Sequence, residues 1–147
     1  MSDKMSKAEK AVEIFDQGNN CAQAVLLAYA EDLALDKNLA LSAAAGFGGG
    51  IGKSQGICGA ASGAVMVLGF RSDFKEGDGR PKINSVYDKS AGFLEGFKKT
   101  AGSVNCLEIL GGCNLFSEEG RKFFTENNLR DRCRSCIRLA CDLLDAP

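Results

Sequence analysis

The sequence predicts an all-α protein: a compact bundle of about six or seven helices in which a glycine-rich loop leads into a buried central helix. Three observations carry this reading. Apolar residues recur at helical spacing in successive segments, punctuated by good N-cap residues and by glycines. No stretch has the alternating, β-branched pattern of a strand. The 147 residues are 45% hydrophobic and 25% charged with a formal net charge of -1, the composition of an ordinary globular chain and not of a disordered one. That length suits one domain, residues 1–147, and no internal repeat is visible.

Each element can be justified in order. Residues 2–15 place Met5, Ala8, Val12 and Phe15 on one stripe and Lys7, Glu9, Lys10 and Glu13 off it, with Gly18 as a stop. Asn19 and Asn20 are N-cap candidates for 21–35, whose only charges are Glu31 and Asp32, so this helix should be buried on most sides. Asp36 can cap a third helix over 38–45, which runs out into the glycine run 46–56. A fourth apolar helix, 58–70, follows; its Gly59, Ala60, Ala61, Ser62, Gly63 and Ala64 permit very close approach of another backbone.

Residues 71–82 read as a polar loop broken by Gly77, Gly79 and Pro81. Helical spacing resumes over 83–99 through Val86, Phe93, Leu94 and Phe97. Ser103 looks like the cap of a short helix over 104–110, closed by Gly111 and Gly112, and 118–127 forms another short, charged element. The last helix, 129–144, carries Cys133, Cys136, Ile137, Ala140, Leu143 and Leu144 on one side.

Composition excludes more chemistry than it suggests. The chain has no histidine, so a Ser/His/Asp triad, a Cys/His protease pair, an HExxH zinc site, a two-His-one-carboxylate iron site and His-ligated haem are all ruled out. With 18 Lys and Arg against 19 Asp and Glu there is no basic field to attract nucleic acid or an anionic membrane. No apolar leader opens the sequence and no run is long enough to span a bilayer, so a cytoplasmic protein with reduced thiols is expected. No acidic pair lies in an apolar stretch where a raised pKa could be argued, which leaves sulfur as the main reactive element.

Gly52-Lys53-Ser54 invites a phosphate-loop reading, but the glycine required five positions before Gly52 is Phe47 and no strand precedes it. A tight loop of positive φ accounts for the run instead. Its amides at Gly48, Gly49 and Gly50, with Gly59 at the next helix start, could form a backbone nest that binds a cofactor anion or a thiolate near Cys58.

Seven cysteines cannot all pair within one chain. Cys21 lies just after an Asn cap, Cys58 opens the fourth helix behind the glycine loop, and Cys106 follows Ser103 by three residues. In those first turns the helix dipole and unpaired amides favour a thiolate. Cys133 sits among Arg130, Arg132 and Arg134, which has the same effect. Cys133-Arg-Ser-Cys136 is a CxxC, but in a helix and not in a strand-to-helix turn, with no following His for haem c and no second CxxC for a zinc ribbon. Cys113, Cys136 and Cys141 read as small, semi-apolar residues.

The segment Cys58-Gly-Ala-Ala-Ser-Gly63 resembles the CGAxxG signature of the bacterial and archaeal C_GCAxxG_C_C family, described as redox-active. The resemblance runs over nearly the whole chain. Gly18-Asn-Asn-Cys21-Ala-Gln-Ala-Val25 is similar to the family's first cysteine segment, Ala45-Gly-Phe-Gly-Gly-Gly50 to its glycine loop, Asn105-Cys106-Leu-Glu-Ile-Leu-Gly111 to its third segment, and Cys133 with Ile137 and Ala140 to its last. It implies that the family cysteines are Cys21, Cys58, Cys106 and Cys133, the four that helix starts single out, and that the activity is redox chemistry. Haem-bearing relatives do not carry over to a chain without His, and Cys113, Cys136 and Cys141 depart from the four-cysteine pattern.

Three functions follow, in order of preference. In the first, Cys21, Cys58, Cys106 and Cys133 converge for thiol/disulfide or electron-transfer chemistry, with Cys58 the most activated and a redox protein or small thiol as partner. In the second, the same four thiolates ligate an iron–sulfur cluster or zinc. In the third, the domain is structural or binds a partner helix, and the small-residue face of 58–70 offers a homodimer contact.

Overall fold

A computed structural model describes residues 4–147 and is all-α, its elements running α1 (Lys7–Asp16), α2 (Cys21–Ala30), α3 (Lys37–Ala44), α4 (Gly48–Ile51), α5 (Gly59–Arg71), α6 (Gly79–Ala101), α7 (Cys106–Ile109), α8 (Glu118–Glu126) and α9 (Arg130–Asp145). The expected helix start at Ser2 lies outside the described residues. Its place is taken by a capping box, in which Ser6 Oγ accepts from the Glu9 amide at 3.1 Å and the Glu9 carboxylate accepts from the Ser6 amide at 3.4 Å. Asn20 and Gln23 build the same device at the head of α2, at 2.9 and 3.0 Å.

Helix α2 is the hub, packed against α1, α3, α5 and α9. Ala22, Ala24, Val25, Leu26 and Ala28 are fully buried along it, as its shortage of charge predicts. It stops at Ala30 and not at 35: the Leu35 amide closes back on the Ala30 carbonyl at 2.8 Å through Ala34 at φ 51°. Helix α6 begins four residues before the expected 83, because Pro81 falls in its first turn, where a missing N–H costs nothing.

The small residues of α5 are used within the chain. A Cβ at Gly63 would stand 2.7 Å from the Ala22 carbonyl oxygen, and one at Gly59 would stand 3.2 Å from the Ala22 amide. The face that the sequence offered for a homodimer contact is therefore occupied by α2. At the far end, Tyr29 Oη donates to Asp145 Oδ1 at 2.9 Å and to the Cys141 carbonyl at 3.2 Å, while Arg71 donates to the Leu144 carbonyl at 2.8 Å. These bonds pin α9 across α2 and α5.

The glycine run folds into a feature that propensity does not anticipate. Gly49, Gly50, Ile51, Gly52 and Lys53 have φ of 63°, 65°, 71°, 57° and 64°, so the chain makes a left-handed turn, with Gln55 at 62° just beyond. Its bonds span more residues than those of an α-helix: Gly52 N–H to Gly46 O at 3.0 Å, and Gln55 and Gly56 N–H to Gly49 and Gly50 O at 2.9 Å. Ile51 and Lys53 each cost about 1–2 kcal/mol in this conformation.

Candidate functional site

The exit of that turn positions the first sulfurs. Residues 56–58 lie antiparallel to 104–106, with Cys58 N–H donating to Val104 O and Cys106 N–H to Gly56 O, both at 2.7 Å, around an isolated bridge between Ile57 and Asn105. This short pairing sets Cys58 beside Cys106 just as each chain turns into a helix. Cys58 becomes the N-cap of α5, while Cys106 is the first residue of α7, whose N-cap is Asn105 and not the expected Ser103. Ser103 Oγ instead accepts from the Asn105 amide at 3.0 Å.

Cys21, the first residue of α2, and Cys133 and Cys136, one turn apart on α9, complete the cluster. All five line one cavity of about 450 Å³. The four expected cysteines thus reach the same cavity, and Cys136, read from sequence as a small core residue, joins them. Gly48, Gly49, Gly50 and Gly59 are also in the wall, beside Phe15, Ile109, Leu110, Leu115 and Phe124. Cys113 and Cys141 lie elsewhere: Cys113 Sγ donates to the Gly120 carbonyl at 3.0 Å in a small satellite core, and Cys141 is fully buried beneath Tyr29.

The sulfurs are arranged in pairs. Cys136 hydrogen-bonds to Cys58, which lowers the Cys58 pKa and, with burial, raises that of Cys136. The amides of Ala60 and Ala61 at the head of α5 stabilise the same Cys58 thiolate. Cys21 hydrogen-bonds to Cys133 with the same asymmetry: Cys133 is lowered and Cys21 raised, and Arg130 and Arg134 add to the lowering of Cys133. In each pair the negative charge is thus favoured on one sulfur, Cys58 or Cys133, and the proton on the other, Cys136 or Cys21.

The expectation that every helix-start cysteine is acidified holds for Cys58 and Cys133 only. Burial and neighbouring thiolates push Cys106 up to about 12 despite a bond from Gln55. Cys21 is raised because it is the donor of its pair. A helix start favours the anion, but in a crowded sulfur cluster repulsion lets only some members ionise.

Two further residues gain a role from the fold. Gln55, with 6% of its surface exposed, donates to the Cys113 carbonyl at 2.7 Å and accepts from the Leu115 amide at 3.0 Å, tying the left-handed turn to the loop beyond α7. Arg130 lies 4.0 Å over the Phe15 ring and donates to the Phe15 carbonyl at 3.2 Å, so its guanidinium is held at the cavity wall. For Cys136 the signal was present, since an i, i+3 pair shares a helix face. For Gln55 only the tertiary fold supplies one; Arg130 was marked by its place beside Cys133, and the fold adds its contact with Phe15.

Among the described residues no three Cys, Asp or Glu side chains are gathered closely enough to hold a metal ion. No described helix is long and apolar enough to cross a membrane.

The model of the family described as "Putative redox-active protein (C_GCAxxG_C_C)" matches residues 19–146. The chain is also similar to an uncharacterized protein of Archaeoglobus fulgidus, with 34% identity over 129 residues that cover 80% of this chain and 85% of that protein. No solved structure matches.

Proposed function

The chain belongs to the C_GCAxxG_C_C family of redox-active proteins, and from that premise we propose that it performs thiol/disulfide exchange through Cys58 and Cys136. The observation that carries this reading is that Cys58, the N-cap of α5, and Cys136 of α9 line one cavity, with the Cys58 pKa lowered by Cys136 and by the Ala60 and Ala61 amides. Exchange needs an ionised attacker and a nearby resolving thiol, and these two supply both.

The step balances with a disulfide as oxidant. Cys58 thiolate attacks one sulfur of the disulfide; a mixed disulfide forms, the original S–S bond breaks and one thiolate leaves. Cys136 then passes its proton to the thiolate released in the first step and attacks the Cys58 sulfur, which closes the protein disulfide and expels the second thiolate. Two electrons pass from the protein to the disulfide, and a reducing thiol runs the sequence backwards. Cys133 and Cys21 form a second pair of the same design, and Cys106 stands beside Cys58 as a further sulfur.

The pairing of the sulfurs favours this reading over a four-cysteine metal centre on Cys21, Cys58, Cys106 and Cys133, whose ligands would surround one point. The test is mass spectrometry of peptides after mild oxidation of the reduced protein. A Cys58–Cys136 linkage that forms first, and that Cys58→Ser abolishes, is expected. Linkages at random, or several equivalents of iron or zinc retained through anaerobic purification, would overturn the proposal.

A further inference from the structure

The charges around the cavity point to a class of substrate. Among the described residues two cationic side chains line it, Lys53 and Arg130, and no carboxylate does. Arg130 is fixed by the Phe15 ring and carbonyl, and its field is felt at Cys133. Lys53 is an exposed residue of the left-handed turn, placed at the cavity by a backbone that an L-residue adopts only at a cost. Arg134, by contrast, is consumed by Asp16 and Asp131 at 2.9 and 2.7 Å. The wall also carries apolar residues such as Leu110 and Phe124.

We infer that the cavity takes a small organic disulfide or thiol carrying a carboxylate or similar anionic group, with its sulfur directed to Cys58 and its negative charge to Lys53 and Arg130. This rests on the exchange chemistry proposed above and adds the substrate class. A cavity of about 450 Å³ suits a ligand of that size, and two cations in a partly water-excluded wall discriminate by charge more than they would in open solvent. The reaction is the same balanced exchange: the anionic disulfide is reduced to two thiols while Cys58 and Cys136 become a disulfide.

The experiment uses three probes of matched length: dithiodipropionate, bis(2-hydroxyethyl) disulfide and cystamine, which are anionic, neutral and cationic. Each oxidises the reduced protein at low ionic strength, with rates normalised to those of 2-mercaptoethanol under the same conditions. The anionic probe is expected to outrun the neutral one by about five- to tenfold, with the cationic probe slowest. Lys53→Glu, an exposed substitution, should bring the anionic-to-neutral ratio to one or below, as should Arg130→Gln; salt at 0.5 M should shrink it in the unaltered protein.

A ratio of one or less in the unaltered protein, with the neutral probe still forming the Cys58–Cys136 bond, overturns the substrate inference alone. So does a ratio that Lys53→Glu leaves unchanged. If none of the probes forms that bond, the exchange reading falls, and this inference with it.

Discussion

Cys58 and Cys136 share a hydrogen bond across the boundary between α5 and α9, and that bond moves their pKa values in opposite directions. Cys58 is therefore expected to be alkylated at lower pH than Cys21, Cys106 and Cys136, which are raised. A hydrogen bond to a charged group contributes about 1.5–3 kcal/mol, so Cys136→Ala should move the pH midpoint of Cys58 alkylation up by about one to two units. Site-resolved iodoacetamide labelling across pH checks this. An unmoved midpoint would show that the Ala60 and Ala61 amides suffice.

The close approach of α5 to α2 makes two glycines of one helix respond in opposite senses. Gly63→Ala places a methyl 2.7 Å from the Ala22 carbonyl oxygen, so the helices must part, at about 1–3 kcal/mol. Gly69 has nothing within 4 Å of its would-be Cβ, and Gly69→Ala should stabilise by up to about 1 kcal/mol through helix propensity. Urea unfolding of the two variants should bracket the parent protein.

Gln55 holds two backbone groups that have no other side-chain partner, the Cys113 carbonyl and the Leu115 amide. Gln55→Ala should cost about 2–4 kcal/mol in unfolding free energy, by orphaning them in a buried place. It should also speed hydrogen exchange at Leu115 and raise the Cys106 pKa further, since Gln55 is the one side chain bonded to that thiol in the sense that lowers it.

Stability of the reduced protein should decline above pH 9. Cys106 and Cys141 are held up to about 12 in the fold, each mainly by burial. Below about 9 both are protonated folded or unfolded, so their contribution is intact. As pH rises from about 9 to 12 the unfolded chain sheds those protons first, and each thiol removes up to about 1.4 kcal/mol per pH unit. Cys58 and Cys133, which are lowered, act in the other direction: their contribution is present above about 9 and fades as pH falls through their folded values. Urea midpoints at pH 9, 10 and 11 should fall, and Cys141→Ala should make the fall shallower.

Several helices were legible because they are announced locally. Asn20 and Asp36 cap α2 and α3 within a residue or so of where the sequence placed those helices, and α8 starts at the expected Glu118 behind a Ser117 cap, while α1 begins at Lys7 behind Ser6 and not at residue 2. Four cavity cysteines were legible for the same reason, being placed at or near helix starts. What sequence could not show is which thiol meets which. Cys133 and Cys136 share a face of α9 yet meet cysteines of different helices, a choice made by the packing of α9 against both α2 and α5 and not by their spacing. The Cys58–Cys106 juxtaposition depends on a bridge so short that no strand pattern can encode it, and the left-handed turn holds Ile51 and Lys53 against their own backbone preference.

That turn has a stereochemical consequence. Residues 49–53 trace the path natural to the enantiomer of an ordinary residue, and glycine, being achiral, is indifferent to it. A chain assembled by chemical ligation with D-isoleucine at 51 and D-lysine at 53 would relax into this turn, each mirror-image centre recovering about 1–2 kcal/mol. The loop before Cys58 is thus a place where a ribosomal product is bound to be less stable than its synthetic diastereomer.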